Sequence, residues 1–108
     1  RMADLPVTTT DGIEGETVTE YRGVVSGEAV IGANALSDIA AGIRDVVGGR
    51  SGSYEKKIEI GREEAMSDLR AEADELRADA VVGVAFDYEE MAEELLWVNV
   101  TGTAVQTQ

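Results

Sequence analysis

Cysteine and histidine are both missing from this 108-residue chain. Without cysteine there are no disulfides and no thiolate chemistry. Without histidine, the side chain that most often moves protons near neutral pH is gone, and with it the commonest metal ligand. Ser/His/Asp and Cys/His nucleophilic machinery is therefore excluded by composition. Aromatic residues are few, with one Phe, one Trp and three Tyr. The core must be aliphatic, and many of its apolar positions are Ala, which fills little volume. Basic residues are also scarce: 9 Lys and Arg stand against 22 Asp and Glu, for a formal net charge of −13, and Lys56 and Lys57 are the lysines. A field of that sign repels nucleic acid and anionic lipid, so neither is an expected partner. No apolar run approaches the roughly 18 residues of a membrane-crossing helix, and no secretory leader is visible, so a cytoplasmic location is expected.

What is present fits one domain, residues 1–108, with Arg1 ahead of Met2 reading as an addition to the natural chain. A hydrophobic content of 44% with clear periodicity argues against a disordered acidic tail. The acids are spread along the whole chain, which reads as adaptation to a salty, halophilic cytoplasm. At about 1 M salt the Debye length falls to roughly 3 Å, and like charges on a surface hardly repel.

Residues 7–10 are a short β-prone piece ended by Asp11-Gly12. Residues 17–31 form a longer β-rich run interrupted by Gly23 and Gly27, where glycine signals a bulge or a close backbone approach. Asn34 suits a helix N-cap. Residues 36–47 then have helical period, with Leu36, Ile39, Ala40, Ile43, Val46 and Val47 on one face. Gly48 stands where a left-handed C-terminal cap is expected. A second helix is predicted over residues 54–77, with Ile58, Ala65, Met66, Leu69, Ala73 and Leu76 as its apolar stripe. Its other face is an acidic ladder of Glu64, Asp68 and Glu72, continued by Glu75 and Asp79. Residues 80–86 are apolar at both parities, as in a strand covered on both faces. Residues 87–94 read as an acidic turn. Residues 95–106 read as a last strand, with Leu96, Val98, Val100 and Ala104 on one side and Leu95, Trp97, Thr101 and Val105 on the other.

The predicted order is β-β-α-α-β-β. It gives a two-layer α+β fold in which a helical hairpin packs on one face of a mostly antiparallel sheet. Val81, Trp97 and Leu95 would then need cover on the opposite face. Copies of the same chain are the simplest cover. A topology with one helix on each face would remove that need.

Three constellations are candidates for chemistry. The first is the glycine-rich stretch Gly48-Gly49-Arg50-Ser51-Gly52-Ser53, read as a loop between the two helices. Backbone amides there, with Arg50, Ser51 and Ser53, could hold a small anion. The plainer reading is a tight turn with Arg50 paired to Glu55. The Lys-Ser/Thr ending of a nucleotide phosphate loop is missing, as is G-x-G-x-x-G. The second is the acidic group Asp87, Glu89 and Glu90, with Glu93 and Glu94. Its oxygens suit a hard divalent cation, although no EF-hand pattern is present and a solvated loop would look the same. The third is Glu28, set between Gly27 and Ala29-Val30-Ile31. A carboxylate in apolar surroundings could act as a general acid or base, or could simply pair with Arg44 or Arg22.

Gly27-Glu28-Ala29-Val30, Gly32-x-Asn34, the block from Arg44-Asp45-Val46-Val47-Gly48-Gly49-Arg50 through Ser51-Gly52-Ser53-Tyr54-Glu55, Ala78-Asp79-Ala80-Val81-Val82-Gly83-Val84 and Gly102-Thr103-Ala104-Val105 together resemble the YbjQ-like family. The resemblance spans residues 8–105, and the long central block is its most specific part. It implies a small α/β subunit assembling as a homopentamer around packed sheets, a label of "putative heavy-metal binding", and no established enzyme activity. This chain departs from the family pattern in two ways. The glycine expected after the second helix is absent, with Arg77 or Ala78 in its place, so another form of cap is expected. The chain also has no His or Cys to serve as a soft ligand.

The sequence thus predicts a non-enzymatic homo-oligomeric binding module that uses no cofactor. Its site is expected where Glu28, Arg44 and the stretch Gly49, Arg50, Ser51 and Ser53 meet a neighbouring subunit. The alternative is a scaffold whose ring binds a protein partner.

Overall fold

The computed structural model describes residues 5–32, 49–92 and 95–108, with the backbone alone at 49–54. Its elements are β1 (Val18–Ile31), α1 (Gly49–Glu75), β2 (Ala80–Ala92) and β3 (Leu95–Thr107). The strands form one antiparallel sheet in the order β1-β3-β2, so the last strand in sequence is the central one. The α+β class and the mostly antiparallel sheet are as the sequence predicts. The first predicted helix, residues 36–47, lies outside the described residues. The first predicted strand contributes only a single parallel bridge, Val7 to Val81.

The predicted stripe of α1 lies on the sheet. Ala65, Leu69 and Ala73 are fully buried, and Ile58, Met66 and Leu76 pack against the same cluster. From below they meet Val25, Ala29 and Ile31 of β1 and Leu96, Val98, Val100 and Ala104 of β3. Two glycines permit this close approach. A Cβ on Gly27 would strike the carbonyl oxygen of Ala65 and come within 2.8 Å of the Leu69 nitrogen. A Cβ on Gly61 would come within 2.6 Å of Val98 Cγ2. With no Cβ at Gly27, the helix backbone rests directly on β1.

Both faces of the first half of β2 are covered, as its sequence implies. Val81 and Val84 join the main core, while Ala80 and Val82 pack with Val105, Ile13 and Val18 on the far side. Val81 therefore faces the helix and is not one of the residues wanting cover. Gly83, at φ 63°, sits at the register shift between Val82 and Ala85. The segment ahead of β1 seals the outer edge of this half, through Val81 N–H to Pro6 O at 2.9 Å, Thr8 N–H to Val81 O at 2.9 Å and Val84 N–H to Thr8 O at 3.1 Å.

Three boundaries differ from those predicted. The acidic stretch expected as a turn continues β2 to Ala92, because β3 supplies hydrogen-bond partners along it. Residues 49–53 are helical and not a loop. Asp79 lies beyond the helix and leaves the acidic ladder; its Oδ2 accepts the Thr107 N–H at 2.9 Å.

α1 closes on a left-handed residue. Arg77 has φ 60°. Its amide donates to Asp74 O at 3.0 Å, and the Ala78 amide donates to Ala73 O at 3.1 Å. This is a Schellman cap with arginine where glycine is usual. The expectation of a different cap is thus corrected: the standard cap forms, and the arginine backbone takes the unfavourable conformation.

Candidate functional site

Alternation along the strands sorts the predicted site residues between the two faces of the sheet. In β1 the odd positions from Val25 to Ile31 face the helix, and the even positions, Glu28 among them, face away. Glu28 is directly opposite Asn99 of β3, and Asn99 is directly opposite Asp87 of β2. These three side chains make one row on the face away from α1. The next row is Val30, Trp97 and Glu89. Glu28 and the Asp87/Glu89 pair, separate candidates in the sequence, therefore share a face with Asn99 and Trp97 between them.

Each row spans two strand spacings, so its outer backbones stand about 10 Å apart. Asn99 Nδ2 donates to Gly27 O at 3.3 Å and lies 3.5 Å from Glu28 Oε2. Glu28 is exposed, not enclosed by apolar neighbours, because its side chain alternates outward from Ala29 and Ile31. It does not pair with Arg22, whose guanidinium instead binds Glu20 at 2.9 Å and the Leu76 carbonyl at 2.9 Å. Glu90 turns to the other face, so Asp87, Glu89 and Glu90 do not converge. Among the described residues no group of three or more acidic side chains is gathered as a metal site.

Glu28 also borders a second feature. An open groove of about 360 Å³ runs along the outer edge of β1, lined by Ser26, Gly27, Glu28, Asp68, Ala71, Glu72 and Glu75. It carries four carboxylates and no base. Glu72 Oε1 accepts the outward-facing Ser26 N–H at 2.7 Å, covering one donor of an edge strand. The ladder of Asp68 and Glu72 is legible in the sequence. Its position beside Ser26 and Glu28 depends on the helix crossing β1 at Gly27, which no local pattern reveals.

The glycine-rich candidates fare differently. Arg44 and Gly48 lie outside the described residues. Gly49, Arg50, Ser51 and Ser53 belong to α1. A helical backbone directs each N–H to the carbonyl four residues earlier, which takes the Ser53 amide away from an anion cradle.

These features define a small α+β module in which, among the described residues, the row of Glu28, Asn99 and Asp87 and the groove offer oxygen ligands. Residues 5–108 match the family model for YbjQ-like proteins, described as "Putative heavy-metal-binding". The chain belongs to that family. Its fold is similar to that of a protein of unknown function of the DUF74 family from Pediococcus pentosaceus ATCC 25745, with a TM-score of 0.61 and 20% identity over 94% of this chain and 96% of that one. The donors here do not fit a soft heavy metal, which prefers thiolate and imidazole; they fit a hard cation. No helix among the described residues is long and apolar enough to cross a membrane.

Proposed function

We propose that this chain is a non-enzymatic binding subunit that works in the cytoplasm as a homo-oligomer and holds a hard divalent cation where copies meet. The observation carrying this reading is the sheet face away from α1. Val24 is 78% exposed and Val30 53% exposed there, with half-buried Trp97 beside Val30. Exposed apolar side chains on a sheet face mark an interaction surface, and a second copy is the simplest occupant. Five copies is the number the family resemblance implies. Glu28, Asn99, Asp87 and Glu89 stand on this same face, so a cation shared between copies completes a ligand set that one copy leaves spread out. The carboxylates around Glu28 favour a cation over a small anion there.

The test is titration of the protein, stripped with chelator, by Mn²⁺, Ca²⁺ and Zn²⁺ in molar KCl. Trp97 fluorescence and thermal stability are read together with mass by light scattering. The expected result is an oligomer whose Trp97 signal and melting temperature respond to Mn²⁺ and Ca²⁺, with a weakened response in Glu28→Gln and Asp87→Asn. A monomer under these conditions sinks the assembly. An oligomer in which no ion acts beyond the KCl background sinks the cation.

A further inference from the structure

Among the described residues, a groove lined by carboxylates and an arginine without a carboxylate partner stand on different sides of α1. On the β1 edge, the groove holds Glu28, Asp68, Glu72 and Glu75 with no basic lining residue. Among the described residues, none of these four has an ion pair. On the β2 edge, Arg62 projects from α1 over the Phe86 ring, 5.9 Å from its centroid. Phe86 in turn stacks on Tyr88, with centroids 6.2 Å apart. Arg62 is exposed and, among the described residues, has no carboxylate partner. Both sites use the same helix, from opposite sides.

We propose that the acidic groove of one copy receives Arg62 of a second copy, an inference that rests on the homo-oligomer of the preceding section. The chemistry of the two sites is complementary. A guanidinium binds a carboxylate through two parallel hydrogen bonds, and this contact survives high salt better than long-range attraction does. The Phe86 ring holds Arg62 in place by cation–π attraction, which limits the freedom lost on docking. Because groove and ledge lie on opposite edges of one sheet, the contact is head-to-tail. Repeated from copy to copy, such a contact builds a ring when the rotation between copies closes and a filament when it does not, whereas a self-complementary patch would stop at a dimer.

The experiment combines charge reversal with cross-linking, in the full chain at molar KCl. Arg62→Asp and Asp68→Arg, made singly, are each expected to weaken assembly at least tenfold in the concentration of half-dissociation. The double variant restores the opposite-charge pair at every interface and is expected to recover the wild-type mass. Circular dichroism checks that each variant folds. A second measurement does not depend on reversal: Arg62→Cys combined with Asp68→Cys in one chain. Six positions along a helix separate their Cα atoms by about 9 Å, too far for a bridge within one copy. The natural chain has no cysteine, so any covalent ladder on oxidation reports contact between copies. An oligomer that is indifferent to Arg62→Asp, or a double-cysteine variant that assembles but yields no ladder, overturns this docking and leaves the homo-oligomer standing. Loosening by Asp68→Arg but not by Arg62→Asp assigns the groove to a metal ion or another partner, and overturns it too. A monomeric wild type removes both.

Discussion

The Ala78 amide donates to the Ala73 carbonyl at 3.1 Å, and the chain achieves this by turning through Arg77 at φ 60°. Ala73 and Ala78 are both buried in the main core, so the cap also supplies the apolar contact that accompanies this motif. A non-glycine residue in the left-handed region costs roughly 1–2 kcal/mol. The Arg77 carbonyl accepts Gln106 Nε2 at 2.8 Å, a bond glycine would keep. Part of the gain from glycine is lost to its freer unfolded chain, leaving Arg77→Gly more stable by about 0.5–1 kcal/mol. Urea denaturation checks this, with Arg77→Ala as the control expected near wild type. A midpoint lowered by Arg77→Gly would contradict the cap.

Gly27 and Gly61 both let α1 approach the sheet, but what a new methyl meets differs. At Gly27 it meets helix backbone, which cannot step aside. At Gly61 it meets the Val98 side chain, which can adjust, and alanine is the better helix former by about 1 kcal/mol. Gly27→Ala is therefore expected to cost on the order of 3 kcal/mol and Gly61→Ala about 1 kcal/mol. Equal losses in chemical denaturation would refute the backbone contact.

The Glu72 carboxylate protects the Ser26 amide on a strand edge that no other described strand covers. Glu72→Ala is expected to lower stability by about 1 kcal/mol. Its sharper signature is local: amide hydrogen exchange at Ser26 speeds up, while Glu72→Gln, which keeps an acceptor oxygen, largely preserves protection. Unchanged exchange in Glu72→Ala would show that this bond does not protect Ser26.

With 22 acids against 9 bases, the folded surface repels itself in dilute buffer. The described ion pairs, Arg22–Glu20 and Lys56–Glu59, are both exposed and offset little of this. The melting temperature is expected to climb between dilute buffer and molar KCl, with most of the rise below about 0.5 M as the Debye length shortens. A flat salt dependence would refute this.

The structure is legible in the sequence where one periodic signal decides it. The stripe from Ile58 to Leu76 lies on the sheet and the residues of β3 alternate between its two faces as predicted, because burial enforces period 3.6 in one and period 2 in the other. It is not legible where local composition and long-range pairing disagree. Asp87, Glu89 and Glu90 look like a turn, yet β3 holds them in a strand, and their charge suits an exposed edge that must not pair at random. Gly49 and Gly52 look like a loop, yet their backbone is helical. Glu28, Asn99 and Asp87 gave no sign of sharing a row, since the register that aligns them is a property of the assembled sheet.

The position of β3 also bears on how the molecule comes into being. It is the last described element to leave the ribosome, and it supplies the hydrogen-bond partners of both other strands. Until its residues emerge, β1 has no partner strand among the described elements, β2 has only the short bridge to Val7, and the apolar side of α1 lacks half its floor. Folding must therefore wait for nearly all of residues 5–107 to be translated, and a nascent chain stalled before Leu95 is expected to be a substrate for chaperones rather than a partly built subunit.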